Sequence, residues 1–178
     1  MELKSIVIFL YGIPCAGKTT LSKFFNKVYG FREIAVDSIL KKLCPNPSKQ
    51  DFYTHSEFIV NKISKQLHDF SMNYVIEVGC LFSKDSVNSI MAEFADKYEF
   101  LIFCLEIDDE MAMKRIVQRN KRVVMGLSDA VVIDDPCLIN DFRQHLLKNL
   151  PSAVIFTESK NINSVPGELQ CLLQQKRV

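Results

Sequence analysis

Gly12-Ile13-Pro14-Cys15-Ala16-Gly17-Lys18-Thr19 follows almost directly on the apolar run Ile6-Val7-Ile8-Phe9-Leu10 and matches the pattern G-x-x-x-x-G-K-[ST] in full. Glycines at both ends let the backbone curl until successive N–H groups converge on phosphate oxygens, with a helix N-terminus behind them. Lys18 adds a mobile positive charge for the β- and γ-phosphates, and the Thr19 hydroxyl suits a magnesium ion. The residues after the loop support a helix, because Leu21, Phe24, Phe25 and Val28 recur at helical spacing before Gly30. Gly12, Ile13, Pro14, Cys15, Ala16, Gly17, Lys18 and Thr19, together with Thr20, are therefore expected to bind the nucleotide.

The remaining pattern alternates strands with helices. Phe31 to Val36 reads as a second strand, Tyr74 to Val78 as a third, Phe100 to Ile107 as a fourth and Ala153 to Phe156 as a fifth. Asp37-Ser38 suits a helix cap before a short helix that Pro45 and Pro47 stop, and Cys44 to Thr54 reads as a loop. Val60, Ile63, Leu67 and Phe70 share one face of the next helix. Ser83 caps a helix bearing Val87, Ile90, Met91 and Phe94, and Asp108 and Asp109 open another that reaches about Gln118. The pattern dissolves from Asn120 to Asp135. Pro136 then suits the first turn of a helix burying Ile139, Phe142 and Leu146, and Ser164 to Leu173 reads as a closing helix. This alternation predicts an α/β chain: a three-layer α/β/α sandwich with a five-stranded parallel sheet. Residues 1–178 read as one domain, with a lid at about 119–135.

Composition narrows the function. A hydrophobic fraction of 48%, a charged fraction of 24% and a net charge of +1 describe an ordinary globule with no general pull toward polyanions. The apolar stretch near the start is short and runs into the phosphate loop, so it reads as a core strand rather than a secretory signal, and no run is long enough to span a bilayer. The six cysteines form no C-x-x-C pair. Reduced thiols in a cytoplasmic protein are the expectation. His55, His68 and His145 read as non-functional.

Ligands of parallel α/β sheets sit at the carboxyl ends of the strands, where the phosphate loop, Asp37 and Glu77 all fall. Phosphoryl transfer needs an aligned acceptor hydroxyl and neutralised charge. Asp37 is the candidate base for the acceptor, and Glu77 and Thr19 are candidate ligands of Mg²⁺. Arg115, Arg119 and Arg122 would share a helix face leading into the lid, with Arg119 first in line to reach the transferring phosphoryl group. Lys18, Asp37 and Arg119 are thus the catalytic candidates, with Arg115 and Arg122 supporting the nucleotide.

In these motifs the chain resembles the small P-loop kinases of the nucleoside-monophosphate-kinase-like group. Within that group it is most similar to ATP-binding kinase domains such as polynucleotide 5′-hydroxyl kinase and chloramphenicol phosphotransferase. The segments that carry the resemblance are GIPCAGKTT, AVDSIL, YVIEVG, FLIFCLEID and MKRIVQRNKR. It implies that Asp37 is the catalytic aspartate, that Arg115, Arg119 and Arg122 belong to a lid, and that the turn Thr157-Glu158-Ser159 lies near the adenine. Leu40 stands where polynucleotide-kinase relatives often have arginine, and Glu77 where they commonly have aspartate.

The activity expected is an ATP- and Mg²⁺-dependent kinase acting on a hydroxyl of a small-molecule or nucleoside-like acceptor. Polynucleotide 5′ phosphorylation is the alternative enzyme, disfavoured by Leu40 and the low net charge, and a nucleotide-binding module without catalysis is another. A guanine-nucleotide switch would need N-K-x-D, but Asn120-Lys121-Arg122-Val123 ends in valine. No membrane or obligate protein partner is implied. Cys15, at a helix N-terminus beside Lys18, occupies a setting in which thiols react readily. Alkylation at Cys15, read by peptide mass, is expected to abolish nucleotide binding and to be slowed by bound ATP; equal rates with and without ATP would contradict this.

Overall fold

Because the run from Ile6 to Tyr11 is apolar on both alternating faces, it can be a strand only where both faces are covered. It forms β1 (Ser5–Tyr11), the central strand, with every residue from Ile6 onward buried. The computed structural model describes residues 4–45, 49–125, 137–151 and 155–158. Around β1 stand β2 (Arg32–Ala35), β3 (Tyr74–Glu77), β4 (Tyr98–Glu106) and β5 (Ile155–Glu158), in the order β2-β3-β1-β4-β5 with each adjacent pair parallel. This is the α/β architecture of P-loop NTPases.

The helices connect successive strands. α1 (Lys18–Tyr29) leaves the phosphate loop and packs on β1, β2 and β3, burying Leu21, Ser22 and Phe25. It ends at Gly30, whose φ of 71° is the left-handed turn that glycine adopts without penalty. Val28, placed by spacing on the buried face, is 54% exposed, so the stripe narrows in the last turn.

α2 (Val36–Lys41) starts one residue before the sequence pattern suggests. Its N-cap is Ala35 with no side-chain hydrogen bond, so Asp37 lies in the first turn and is not the cap. The segment read as a loop contains α3 (Lys49–Thr54), and α4 (Ser56–Gln66) follows. Phe70 lies beyond α4 and is exposed at 42%.

α5 (Lys84–Glu93) begins as expected, with Ser83 Oγ accepting from the Ser86 amide at 3.1 Å. α6 (Asp109–Val124) is capped by Asp108, whose Oδ1 accepts from the Met111 amide at 2.8 Å. It continues past Gln118, so Asn120 to Val124 is helix where the pattern suggested irregular chain. Lys121 and Arg122 in its last turn suit the negative end of the helix dipole. α7 (Cys137–Asn149) buries Ile139 and Leu146. The rest of the expected lid, Pro136 and the expected closing helix lie outside the described residues. Among the described residues, no helix is long and apolar enough to cross a membrane.

Phe103 measures what the sheet centre contributes. It is fully buried in β4, in register with Leu10 on one side and Ile155 on the other. Phe103→Ala should cost about 3–5 kcal/mol in urea denaturation with an unchanged m-value. A loss below about 1 kcal/mol would mean that the site collapses around the cavity.

Candidate active site

The loop joining β1 to α1 takes backbone conformations that its sequence permits. Gly12 has φ 146° and Gly17 φ 102°, both in the region that side-chain-bearing residues rarely adopt. A Cβ at Gly12 would stand 3.0 Å from the Leu105 carbonyl oxygen and 3.2 Å from the Ala16 Cβ, so the loop enters through a gap that only glycine fits. Cys15 also has positive φ, 65°, an unusual conformation for a non-glycine residue, held here inside the loop.

Lys18 folds back over the loop, its Nζ donating to Gly12 O at 2.8 Å and Ile13 O at 3.0 Å. The ammonium therefore sits at the loop itself. Thr19, one residue on, donates from Oγ1 to Glu77 Oε2 at 2.8 Å. That contact joins the start of α1 to the end of β3. Adjacent oxygen ligands of an octahedral magnesium ion bound at about 2.1 Å stand roughly 3 Å apart, so a hydroxyl and a carboxylate at this spacing fit such an ion. Both donors are hard oxygens, as magnesium prefers.

Burial raises the Glu77 pKa above the ordinary glutamate value. The Thr19 hydrogen bond, the Lys18 charge and the Ser22 hydroxyl oppose that shift, while the negative charge of Asp37 reinforces it. Asp37, exposed in the first turn of α2, thus shares an electrostatic environment with Glu77.

α6 closes the other side. Arg115 Nη1 donates to Cys15 O at 3.1 Å, and Arg119 Nη1 lies 3.8 Å from Cys15 Sγ. The helical spacing of four residues brings both guanidinium groups to the loop. Arg122 is exposed, and its place in the last turn of α6 does not bring it into that pair. The site thus unites Lys18, Thr19, Glu77, Arg115, Arg119 and the carbonyls of the loop, with Asp37 nearby.

Two residues near the site went unread in the sequence. Ser22, buried on α1, donates to Glu33 at 3.1 Å and helps lower the Glu77 pKa; its signal was the helical spacing of three from Thr19. Arg143 on α7 donates to Asp109 Oδ1 through Nε at 2.9 Å and to Ile107 O through Nη2 at 2.5 Å, fixing α7 to the start of α6. No local motif announces a contact between residues so far apart in sequence. Beside the loop, Ile13, Leu105, Ile107, Arg143, Leu146 and Leu150 line a mostly apolar hollow. Thr157 and Glu158, expected in a turn, are the last residues of β5, and Ser159 lies outside the described residues.

A protein-family model described as "AAA domain" matches residues 7–134, and the chain belongs to that family. Its fold is that of the small P-loop kinases. A gluconokinase from Sinorhizobium meliloti 1021 superimposes with a TM-score of 0.60 at 12% identity, over 97% of this chain and 95% of that one. Shikimate kinase from Acinetobacter baumannii, in complex with shikimate, gives 0.59 at 15% identity, over 97% and 94%. Shikimate kinase from Bacteroides thetaiotaomicron gives 0.56 at 21% identity, over 95% and 98%. No curated protein matches the chain.

The raised Glu77 pKa has a definite sign. A carboxyl whose folded pKa lies above its unfolded value stabilises the fold fully below the unfolded pKa, near 4.3, and loses that contribution as pH rises through the folded value. Ionised Glu77 therefore costs stability at neutral pH, and Glu77→Gln should raise the melting temperature of the nucleotide-free protein at pH 7, the advantage shrinking below about pH 4. Differential scanning calorimetry across pH checks this; a variant less stable than wild type at neutral pH would show that the hydrogen bonds to the carboxylate outweigh burial.

Proposed function

We propose that this chain is an ATP- and Mg²⁺-dependent phosphotransferase that moves a γ-phosphoryl group to a hydroxyl of a small-molecule acceptor. The observation that carries this reading is the convergence on one loop of Lys18, the Thr19–Glu77 pair and two arginines of α6. A loop that only bound nucleotide would need the amides and the lysine. Arginines drawn to the same loop add positive charge where the transferring group gathers negative charge. Likeness in fold to a shikimate kinase and a gluconokinase supports a small acceptor.

In this reading the amides of residues 12–19 and Lys18 hold the β- and γ-phosphates. Thr19 and Glu77 would hold Mg²⁺, which when bound offsets phosphate charge. Arg119 meets the transferring group, Arg115 steadies the loop through the Cys15 carbonyl, and Arg122, in the last turn of the same helix, supports the nucleotide. The mostly apolar hollow beside Ile13 offers a surface for the base. Asp37, released from capping and placed near Glu77, accepts the acceptor's hydroxyl proton. With residues 1–178 read as one domain, nucleotide and acceptor meet within a single chain.

The test is an acceptor screen with radiolabelled ATP and Mg²⁺ against pools of nucleosides, sugars, small hydroxy acids, phenicol- and aminoglycoside-type antibiotics and 5′-hydroxyl oligonucleotides. With a hit in hand, Asp37→Ala should lower turnover by roughly 10²–10⁴-fold and leave ATP affinity within about twofold, whereas Lys18→Ala should lose both. Unchanged turnover in Asp37→Ala would remove that residue from the role. Slow ATP hydrolysis that no acceptor stimulates would favour a binding module.

A further inference from the structure

Cys44, Asp51 and His55 lie apart from the phosphate loop, yet the fold gathers them. One ligand atom from each falls within a group no wider than 4.8 Å, with Cys44 Sγ 3.7 Å from His55 Nε2. All three are partly buried, and Cys44 is not in a disulfide. We propose that these side chains form a binding site for a divalent transition metal, zinc above all, that clips the chain after α2 to α3.

Backbone hydrogen bonds hold two sides of the site. The Cys44 amide donates to Leu40 O at 2.9 Å, tying the cysteine to the last turn of α2 through a fully buried leucine. The His55 amide donates to Asp51 O at 2.9 Å, the helical bond that puts residues four apart on one face. Carboxylate and imidazole therefore project together toward the cysteine. A tetrahedral zinc with Zn–S of about 2.3 Å and Zn–N of about 2.0 Å sets those two atoms roughly 3.5 Å apart, close to the separation present.

Donor chemistry selects the ion. Thiolate and imidazole suit zinc, cobalt and copper, while magnesium and calcium prefer oxygen. The site is thereby distinct in preference from the Thr19–Glu77 pair. Coordination sends the thiol proton to solvent and leaves the imidazole neutral. Three protein ligands leave a fourth position for water or another donor.

The consequence is mechanical. α2 carries Asp37 in its first turn and reaches Cys44 just beyond its end. An ion held by Cys44, Asp51 and His55 closes residues 44–55 into a ring, and so fixes where α2 ends relative to α3. A bare cysteine–histidine hydrogen bond would account for the 3.7 Å contact alone and would confer no metal affinity.

The experiment uses the full chain, stripped with chelator and kept reduced, and titrates it with Co²⁺. Wild type should bind one equivalent and develop a thiolate-to-cobalt charge-transfer band with the intense visible bands of tetrahedral cobalt. Zn²⁺ should displace the cobalt. Cys44→Ser should abolish the charge-transfer band, and Cys15→Ser should retain it. His55→Gln and Asp51→Asn should keep the band but weaken binding by roughly tenfold to a hundredfold or more. Circular dichroism establishes that each variant is folded, and His55→Gln carries the test should Cys44→Ser fail to fold. Zn²⁺ should also raise the melting temperature of wild type but not of His55→Gln. Absence of the band in wild type, or equal affinity in wild type and His55→Gln, overturns the proposal. None of these measurements depends on phosphoryl transfer, so their outcome is independent of the kinase reading.

Discussion

The approach of the phosphate loop to β4 constrains everything around it. At Gly12 the chain leaves β1 so close to Leu105 that a Cβ would meet the carbonyl oxygen at 3.0 Å. That squeeze is possible because β1 and β4 are in continuous parallel register from Ser5 with Tyr98 to Tyr11 with Cys104. The sheet thus sets the position of the loop, and the loop sets those of Lys18 and Thr19. Without close packing of β1 on β4, the positive-φ residues would have no reason to hold their conformations.

Two connections extend this order outward. The Thr19–Glu77 hydrogen bond spans from α1 to β3, the neighbour of β1 on the other side, so the loop is braced from both flanking strands. The Arg115 contact with the Cys15 carbonyl ties in α6. Burial of Cys104 pushes its thiol up to about 12, keeping it protonated in the core beneath the site.

Much of this was legible in the sequence because the signals were local. The phosphate-loop motif, the apolar runs of β1 and β4, the Ser83 and Asp108 caps and the Gly30 stop each rest on a few adjacent residues. What was missed depended on distant partners or on competing signals. α3 was hidden by the prolines that precede it and by its composition, which lacks an apolar repeat. α6 outran the expected Gln118 because Lys121, Arg122 and exposed Val124 carry helix without an apolar stripe. Asp37 looked like a cap because aspartate favours that position, but Ala35 already ends the extended chain. The grouping of Cys44 with His55 could not be read at all, since their spacing fits no metal motif and only the turn after α2 brings them together.

The sheet order also dictates when the nucleotide site can exist. β1 is made before its neighbours, which begin at Tyr74 and Tyr98, so the strand that presents the loop must wait for partners far along the chain. Such long-range closure is entropically costly and slow. Until β4 has arrived at the side of β1, the emerging chain carries the whole phosphate motif with nothing to shape it. Competence to grip a nucleotide therefore arises only once the sheet has closed around β1, although the residues responsible are made well before those partners.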